Sequence, residues 1–304
     1  MLYIIAKKGK MKRNTYQDPH GVVYSQDRKT LLEVSPGFTC KDYHVAEGTV
    51  DIEDSAFCNC QTLERIWLPD SVASGCGCLC EGARNLRFAR LSANLIHPDI
   101  ALFHCCDSLE EVVLPEGMEG IGENMFTGCI SLKLIHLPST IKYLNGECFA
   151  DSGIEEIDLP ECVTRIGDDA FVGCRSLRRL VIPKNVQHIG PWLVQGHKDF
   201  EGVECLSPHF RVEDECLISN EDDALIACWT KDSVFHIPPS VRNIYSICND
   251  QIEKLIIDHP IEKIGYDALV ANPNLKEIVA NAKIEEFEYS YACVHIIGNP
   301  AKRQ

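Results

Sequence analysis

Seventeen cysteines stand among 304 residues, and Cys58, Cys76, Cys78, Cys80 and Cys105 crowd one stretch of the chain. Thiols at that density invite a metal site, because cysteine sulfur is a ligand that zinc favours. The spacing argues against one: zinc sites use C-x2-C pairs closing a tetrahedron, whereas C-x-C-x-C sends alternate side chains to opposite faces if the backbone is extended. His104 beside Cys105 has the composition of a base and a nucleophile. Adjacency in sequence, however, neither aims a thiolate nor supplies the third group that orients an imidazole. The sequence holds no H-E-x-x-H, P-loop or G-x-S-x-G, and no G-x-G-x-x-G after a strand. The acidic run Glu221 to Asp223 lacks the alternating oxygen ligands, the Gly and the closing Glu of a calcium loop. The reading is therefore no enzyme, no bound metal and no cofactor. A Cys-rich metal-binding protein or enzyme is the competing class.

Four other cysteines, Cys60, Cys106, Cys129 and Cys174, share one position in a repeating unit. Leu63, Leu86, Leu109, Leu132, Ile154, Leu177 and Phe200 head copies spaced by 22 or 23 residues, and Ile252 and Leu275 resume the 23-residue step after a break. Each copy reads L-x-x-I-x-L-P, then V-x-x-I-G, then F-x-x-C; Leu109, Val112, Leu114, Pro115, Met118, Ile121, Gly122, Phe126 and Cys129 show it most cleanly. A period of 20 to 29 residues with one short strand per copy marks a leucine-rich repeat solenoid. In the copy that starts at Ile154, period-2 alternation sends Ile157 and Leu159 inward and Glu156 and Asp158 outward. Pro160 has no N–H with which to extend a ladder, so the strand ends there. Val163 and Ile166 turn back inward, Gly167 allows the bend, and Phe171 fills the coil. The four in-phase cysteines should stack inside the coils, each thiol acting as a small apolar group with a weak donor. Cys80 falls in phase with Phe57, Phe103 and Phe126, which makes it a core position too.

The proline-closed strand and the I-G-x-x-x-F-x-x-C return resemble the BspA-type leucine-rich repeat family of bacteria and some parasitic protists, over roughly residues 20 to 298. The implied fold is a β-rich solenoid: a right-handed leucine-rich repeat superhelix of about ten coils, each about 23 residues, with short parallel strands and inserted β-hairpins. The resemblance implies attachment to proteins or host surfaces. Residues 21 to 34 and 215 to 228 each place two apolar runs around a polar turn and read as hairpins. The expected organisation is an N-terminal tail over 1–20, a first array with its hairpin over 21–205, a second array with a hairpin insertion over 206–298, and a tail over 299–304. The first hairpin should cap the N-terminal coil, and the second should either kink the solenoid or protrude.

A net charge of −16 speaks against a nucleic-acid surface, which needs clustered Lys and Arg. No apolar run is long enough for a membrane-spanning helix, so no membrane insertion is expected. In MLYIIAKKGKMKR the apolar residues precede the basic ones, the reverse of a secretory signal, and Met11 serves as well as Met1 for a start. The expectation is a cytoplasmic protein with reduced thiols. A cell-surface location, or secretion by a non-standard route, is the alternative, since members of the resembled family are often exported. Near the C-terminus, Val294 to Ile297 could form an apolar edge strand, which leaves an edge-strand dimer open.

These readings converge on a non-catalytic protein–protein interaction scaffold, with an adhesin-like surface protein that binds host proteins as one alternative. Outward strand positions form two columns, and their first strands set Arg65, Trp67, Phe88 and Arg90 side by side, with Val113 and His136 further along. Trp and Arg are enriched in binding hot spots. The six residues are the expected contact surface for a protein partner that carries carboxylates and an apolar anchor.

Overall fold

In the computed structural model, which describes residues 14–287 and 295–300, the chain winds into a β-solenoid of about 11 turns, with no helix among the described residues. The strand length follows from proline. Arg65–Trp67 and Arg179–Ile182 stop within two residues of Pro69 and Pro183. The proline carbonyl then closes the next turn, as Val72 N–H donates to Pro69 O and Val186 N–H to Pro183 O.

Each coil places strands on two sides. On one side Asp42–His44, Arg65–Trp67, Phe88–Arg90 and Glu111–Val113 form a parallel four-stranded sheet. On another, Gly120–Ile121, Tyr143–Leu144, Arg165–Ile166 and His188–Ile189 do the same. The third side is a turn stacked on its equivalent: Phe103 N–H donates to Met125 O, Phe126 N–H to Cys148 O and Phe149 N–H to Ala170 O. Their rings stack, with centroids of Phe103 and Phe126 at 5.8 Å, Phe126 and Phe149 at 5.4 Å, and Phe149 and Phe171 at 5.6 Å.

The in-phase cysteines sit inside this turn. Cys106, Cys129 and Cys174 are buried, and each thiol donates to a carbonyl of the preceding coil: Cys106 Sγ to Cys80 O at 3.1 Å, Cys129 Sγ to Phe103 O at 3.1 Å, Cys174 Sγ to Phe149 O at 2.9 Å. Cys60 is only half-buried and bonds instead near Thr62 Oγ1, because it lies in the first coil. Cys80 is buried as the phase requires.

Both expected hairpins form. Val22–Ser25 pairs antiparallel with Thr30–Val34, and Cys216–Ser219 with Ala224–Cys228. Each gains a third strand, Thr15–Gln17 and Phe210–Glu213, to make a three-stranded meander whose last strand passes into a parallel column. The first meander alternates buried and half-exposed residues along Val22–Ser25, as a cap with one wet face should. The second neither protrudes nor merely kinks the solenoid. All five residues of Ala224–Cys228 are buried, and the meander is a wall with an apolar cluster on each face. Leu217, Ile226, Ala227 and Trp229 belong to the cluster that begins at Val22, while Cys216, Ile218, Leu225 and Cys228 belong to the one that ends at Ile284. The wall separates Gly202–Cys205 from Val234–His236, which lie in different sheets. Among the described residues the turn side carries straight through: Gly196 N–H donates to Cys248 O at 2.7 Å, Asp250 N–H donates to Gly196 O at 3.1 Å, and Arg175 pairs with Asp250.

The last full copy departs from the rest for a chemical reason. Asn281 stands where five earlier copies have Pro69, Pro115, Pro138, Pro160 or Pro183, so no missing N–H interrupts the ladder here. One strand, Glu277–Phe287, runs around the corner and pairs with Lys254–Ile257 on one side and Ile261–Ile264 on the other. His295–Pro300 pairs parallel with it as the final strand; Val294, which the sequence reading included, lies outside the described residues.

Candidate interaction surface

The register holds as the spacing requires. Arg65 faces Phe88 and then Glu111, and Trp67 faces Arg90 and then Val113, in adjacent parallel strands. The sheet begins at Asp42–His44, close to the strand expected over Tyr43 to Val45 after the first hairpin and one strand before the outward columns read from Arg65 and Trp67; it pairs Asp42 with Arg65 and His44 with Trp67. That strand supplies residues which sequence reasoning missed. His44 lies flat on the Trp67 indole, with centroids 4.2 Å apart and planes 3° from parallel. Phe88 tilts against the Trp67 ring, with centroids 5.3 Å apart. The signal was available: Asp42 and His44 precede Arg65 and Trp67 by one 23-residue period.

The two arginines are not bare. Asp42 grips Arg65 through both oxygens, at 2.6 Å from Nε and 2.7 Å from Nη2. Arg90 donates to Leu68 O and to Asp70 Oδ1, both at 3.0 Å. The Ala93 N–H, and then Arg90, hold the Asp70 carboxyl below its ordinary range. Val113 is 41% exposed, and His136 is exposed one coil further on, beyond the four-stranded sheet. Arg65, Trp67, Phe88 and Arg90 thus lie side by side on adjacent strands, with Val113 and His136 further along the same face. Where strands turn away at Pro69, the surface dips into a concavity of about 390 Å³ lined by His44, Glu47, Trp67, Asp70, Ser71 and Arg90 among others.

The cysteine-rich stretch has a different geometry from the extended one assumed in the C-x-C-x-C argument. Cys76 and Cys78 lie in turns with φ of 79° and 51°, so they do not alternate across a strand. Cys76 and Cys80 point into the core, and Cys58, Cys78 and Cys105 are half-buried. No group of three or more His, Cys, Asp or Glu among the described residues is arranged to hold a metal ion. Burial, reinforced by Asp51, pushes the Cys76 thiol up to about 12, and burial with Glu81 pushes Cys78 up to about 11. Groups so shifted are thiols at neutral pH, the wrong state for a nucleophile. His104 Nδ1 meets Glu81 Oε1 at 3.3 Å, a carboxylate of the preceding coil.

Short parallel strands on 23-residue coils, a buried phenylalanine stack and a broad sheet face define a leucine-rich repeat scaffold. The BspA type leucine rich repeat region matches in six copies, over residues 38–97 and 99–222, which is more than half of the sequence. The chain belongs to that family. Among solved structures it is similar to a leucine rich cell surface protein from Faecalibacterium prausnitzii A2-165, at 19% identity over 94% of this chain and 97% of that one, with a TM-score of 0.51. It is also similar to the pneumococcal vaccine antigen PcpA, at 16% identity over 90% and 78% with a TM-score of 0.48. A leucine-rich repeat protein from Bacteroides ovatus ATCC 8483 gives 18% identity over 96% and 79%, with a TM-score of 0.41. At such identities the likeness is one of fold. No curated protein matches the sequence. No helix among the described residues is long and apolar enough to cross a membrane.

Proposed function

We propose that the protein is a non-catalytic interaction scaffold that grips a protein partner on the sheet led by Asp42–His44, with Trp67 at the centre of contact and Arg65, Phe88, Arg90, Val113 and His136 around it. The observation that carries this reading is the aromatic shelf of His44, Trp67 and Phe88, built on rigid paired strands and opening onto a concavity. Rigid aromatic anchors beside a pocket are the usual make-up of a binding hot spot. The raised thiol pKa values of Cys58, Cys76, Cys78 and Cys105 speak against a nucleophile in the cysteine-rich stretch. Cross-linking of the full chain in its host, with a photoreactive residue at Val113, should capture a protein when Trp67 is present and lose it in Trp67→Ala. Equal capture by both would place the contact elsewhere.

The compartment is a separate reading. Sixteen described cysteines are free, and several buried thiols donate hydrogen bonds that a disulfide would abolish, which favours a reducing, cytoplasmic setting. Display at a cell surface is the competing reading.

A further inference from the structure

The wall between the two arrays sets two cysteines face to face. Cys216 opens one strand, Cys216–Ser219, Cys228 closes the next, Ala224–Cys228, and the antiparallel register makes them direct partners. Trp229 N–H donates to Glu215 O at 3.0 Å, one residue outside the pair on each strand. That bond marks Cys216 and Cys228 as a non-hydrogen-bonded pair, in which Cα atoms approach to about 4.5 Å and the side chains share one face. A disulfide requires Cα atoms about 4.4 to 6.8 Å apart. Both side chains are fully buried in the apolar cluster that ends at Ile284. Burial, then Cys228, pushes the Cys216 thiol up, as expected of two sulfurs within each other's field. The bonds they make are long: Cys216 Sγ donates to Asp214 O at 3.3 Å, and Cys228 Sγ accepts from Asn249 Nδ2 at 3.9 Å. The ladder thiols of Cys106, Cys129 and Cys174 are instead committed to carbonyls at 2.9 to 3.1 Å.

We propose that Cys216 and Cys228 form an oxidation site, closing a cross-strand disulfide that pins the wall when a small disulfide oxidant reaches it. With glutathione disulfide the step balances. Cys228, as thiolate, attacks one sulfur of the oxidant, forming a mixed disulfide and releasing one glutathione thiolate. Cys216 then loses its proton and attacks Cys228 Sγ, releasing the second. Two protein thiols become one S–S bond, and two electrons reduce the oxidant to two glutathione thiols. Without that oxidant the pair stays as two thiols. Burial makes the closed wall slow to react, so exchange runs through molecules in which the wall has opened. The bond ties the start of one strand to the end of its neighbour, at the open end of the hairpin, far from its turn over 220–223. A wall tied there no longer unzips between the arrays that it seals.

The test is incubation of the full chain with oxidised and reduced glutathione at graded ratios, in buffer and in mild urea, followed by alkylation, proteolysis and mass mapping. A peptide joining Cys216 to Cys228 should appear, faster in mild urea, and vanish with dithiothreitol. The oxidised chain should melt about 5 °C or more above the reduced one. Cys216→Ala should show no such shift, and Cys228→Ala repeats that control should Cys216→Ala fold poorly. Both thiols still open to alkylation after denaturation at the most oxidising ratio, or either one linked mainly to another cysteine such as Cys248, would overturn the pairing. A linked pair without a melting shift, or a shift that persists in both variants, would overturn the pinning of the wall.

Discussion

Replacing Phe126 by Ala removes the middle ring of the phenylalanine stack. The side chain has no exposed surface, and it touches Phe103 and Phe149 at centroid distances of 5.8 and 5.4 Å. Emptying such a site costs about 3 to 5 kcal/mol, and the loss of two aromatic neighbours places this change toward the upper end of that range. Neighbouring coils cannot collapse into the gap, since their backbones are fixed on both sides by Phe103 N–H to Met125 O and Phe126 N–H to Cys148 O. Typical domain stabilities are about 5 to 15 kcal/mol, so the variant should be visibly marginal. The control is Asn124, two residues away. It is half-buried, has φ of 55° and accepts a bond from Thr127 Oγ1. Asn adopts the left-handed region at lower cost than Ala, although Ala101 takes it with φ of 58° one coil earlier, so Asn124→Ala should cost about 1 kcal/mol and Asn124→Gly less. Urea unfolding of the three variants, followed by circular dichroism, gives the ranking. A Phe126→Ala loss below about 2 kcal/mol, or one equal to that of Asn124→Ala, would mean that the stacked turn is not what holds the coils together.

Further outcomes follow from the thiols, one half-buried carboxyl and the indole. Alkylation of protein prepared without reductant should find the cysteines free once the chain is denatured. In the native state exposed Cys162 should react while Cys129, Cys148 and Cys174 do not; stable disulfides would sink the reducing-compartment reading. Burial, then Glu147 and Asp168, raises the Asp169 carboxyl from 3.8 to about 6. Because the folded value lies above the unfolded one, its stabilising contribution is complete below pH 3.8 and lost as pH rises through 6. Asp169→Asn should therefore melt higher than wild type at pH 7.5, with the advantage vanishing near pH 4. A gap that widened on acidification would contradict this. Trp67→Ala should lower stability by only about 1 kcal/mol through the lost ring stacking; a loss several times larger in thermal melts would make the shelf a structural element first.

Coil length, strand register, both hairpins and the buried phase were legible in the sequence because a repeat states each requirement several times over. Phe103, Phe126, Phe149 and Phe171 say the same thing in four coils. What the sequence hid lies where a residue's role depends on a neighbour outside its own copy. Arg65 and Arg90 read as free cations until Asp42 and Asp70 are placed beside them. Positions 224 to 228, ALIAC, read as one arm of a hairpin, since an apolar run does not announce that both of its faces are covered. Cys76 and Cys78 defeated the alternation argument because their left-handed backbone belongs to a turn.

The wall made by Cys216–Ser219 and Ala224–Cys228 has a consequence for how such a chain can be lengthened or shortened over generations. It repeats the N-terminal cap, hairpin for hairpin, yet presents apolar residues to the coils on both sides. A segment that starts one array while sealing another is a natural splice point. Whole coils can be gained or lost on either side of it without disturbing the register of the other. The turn-side links around Gly196 would have to be preserved, and Gly196 itself above all, because a side chain there would collide with Cys228 O and Asn249 Nδ2, each 2.6 Å from where its Cβ would stand. That glycine is the hinge pin on which a change of length would turn.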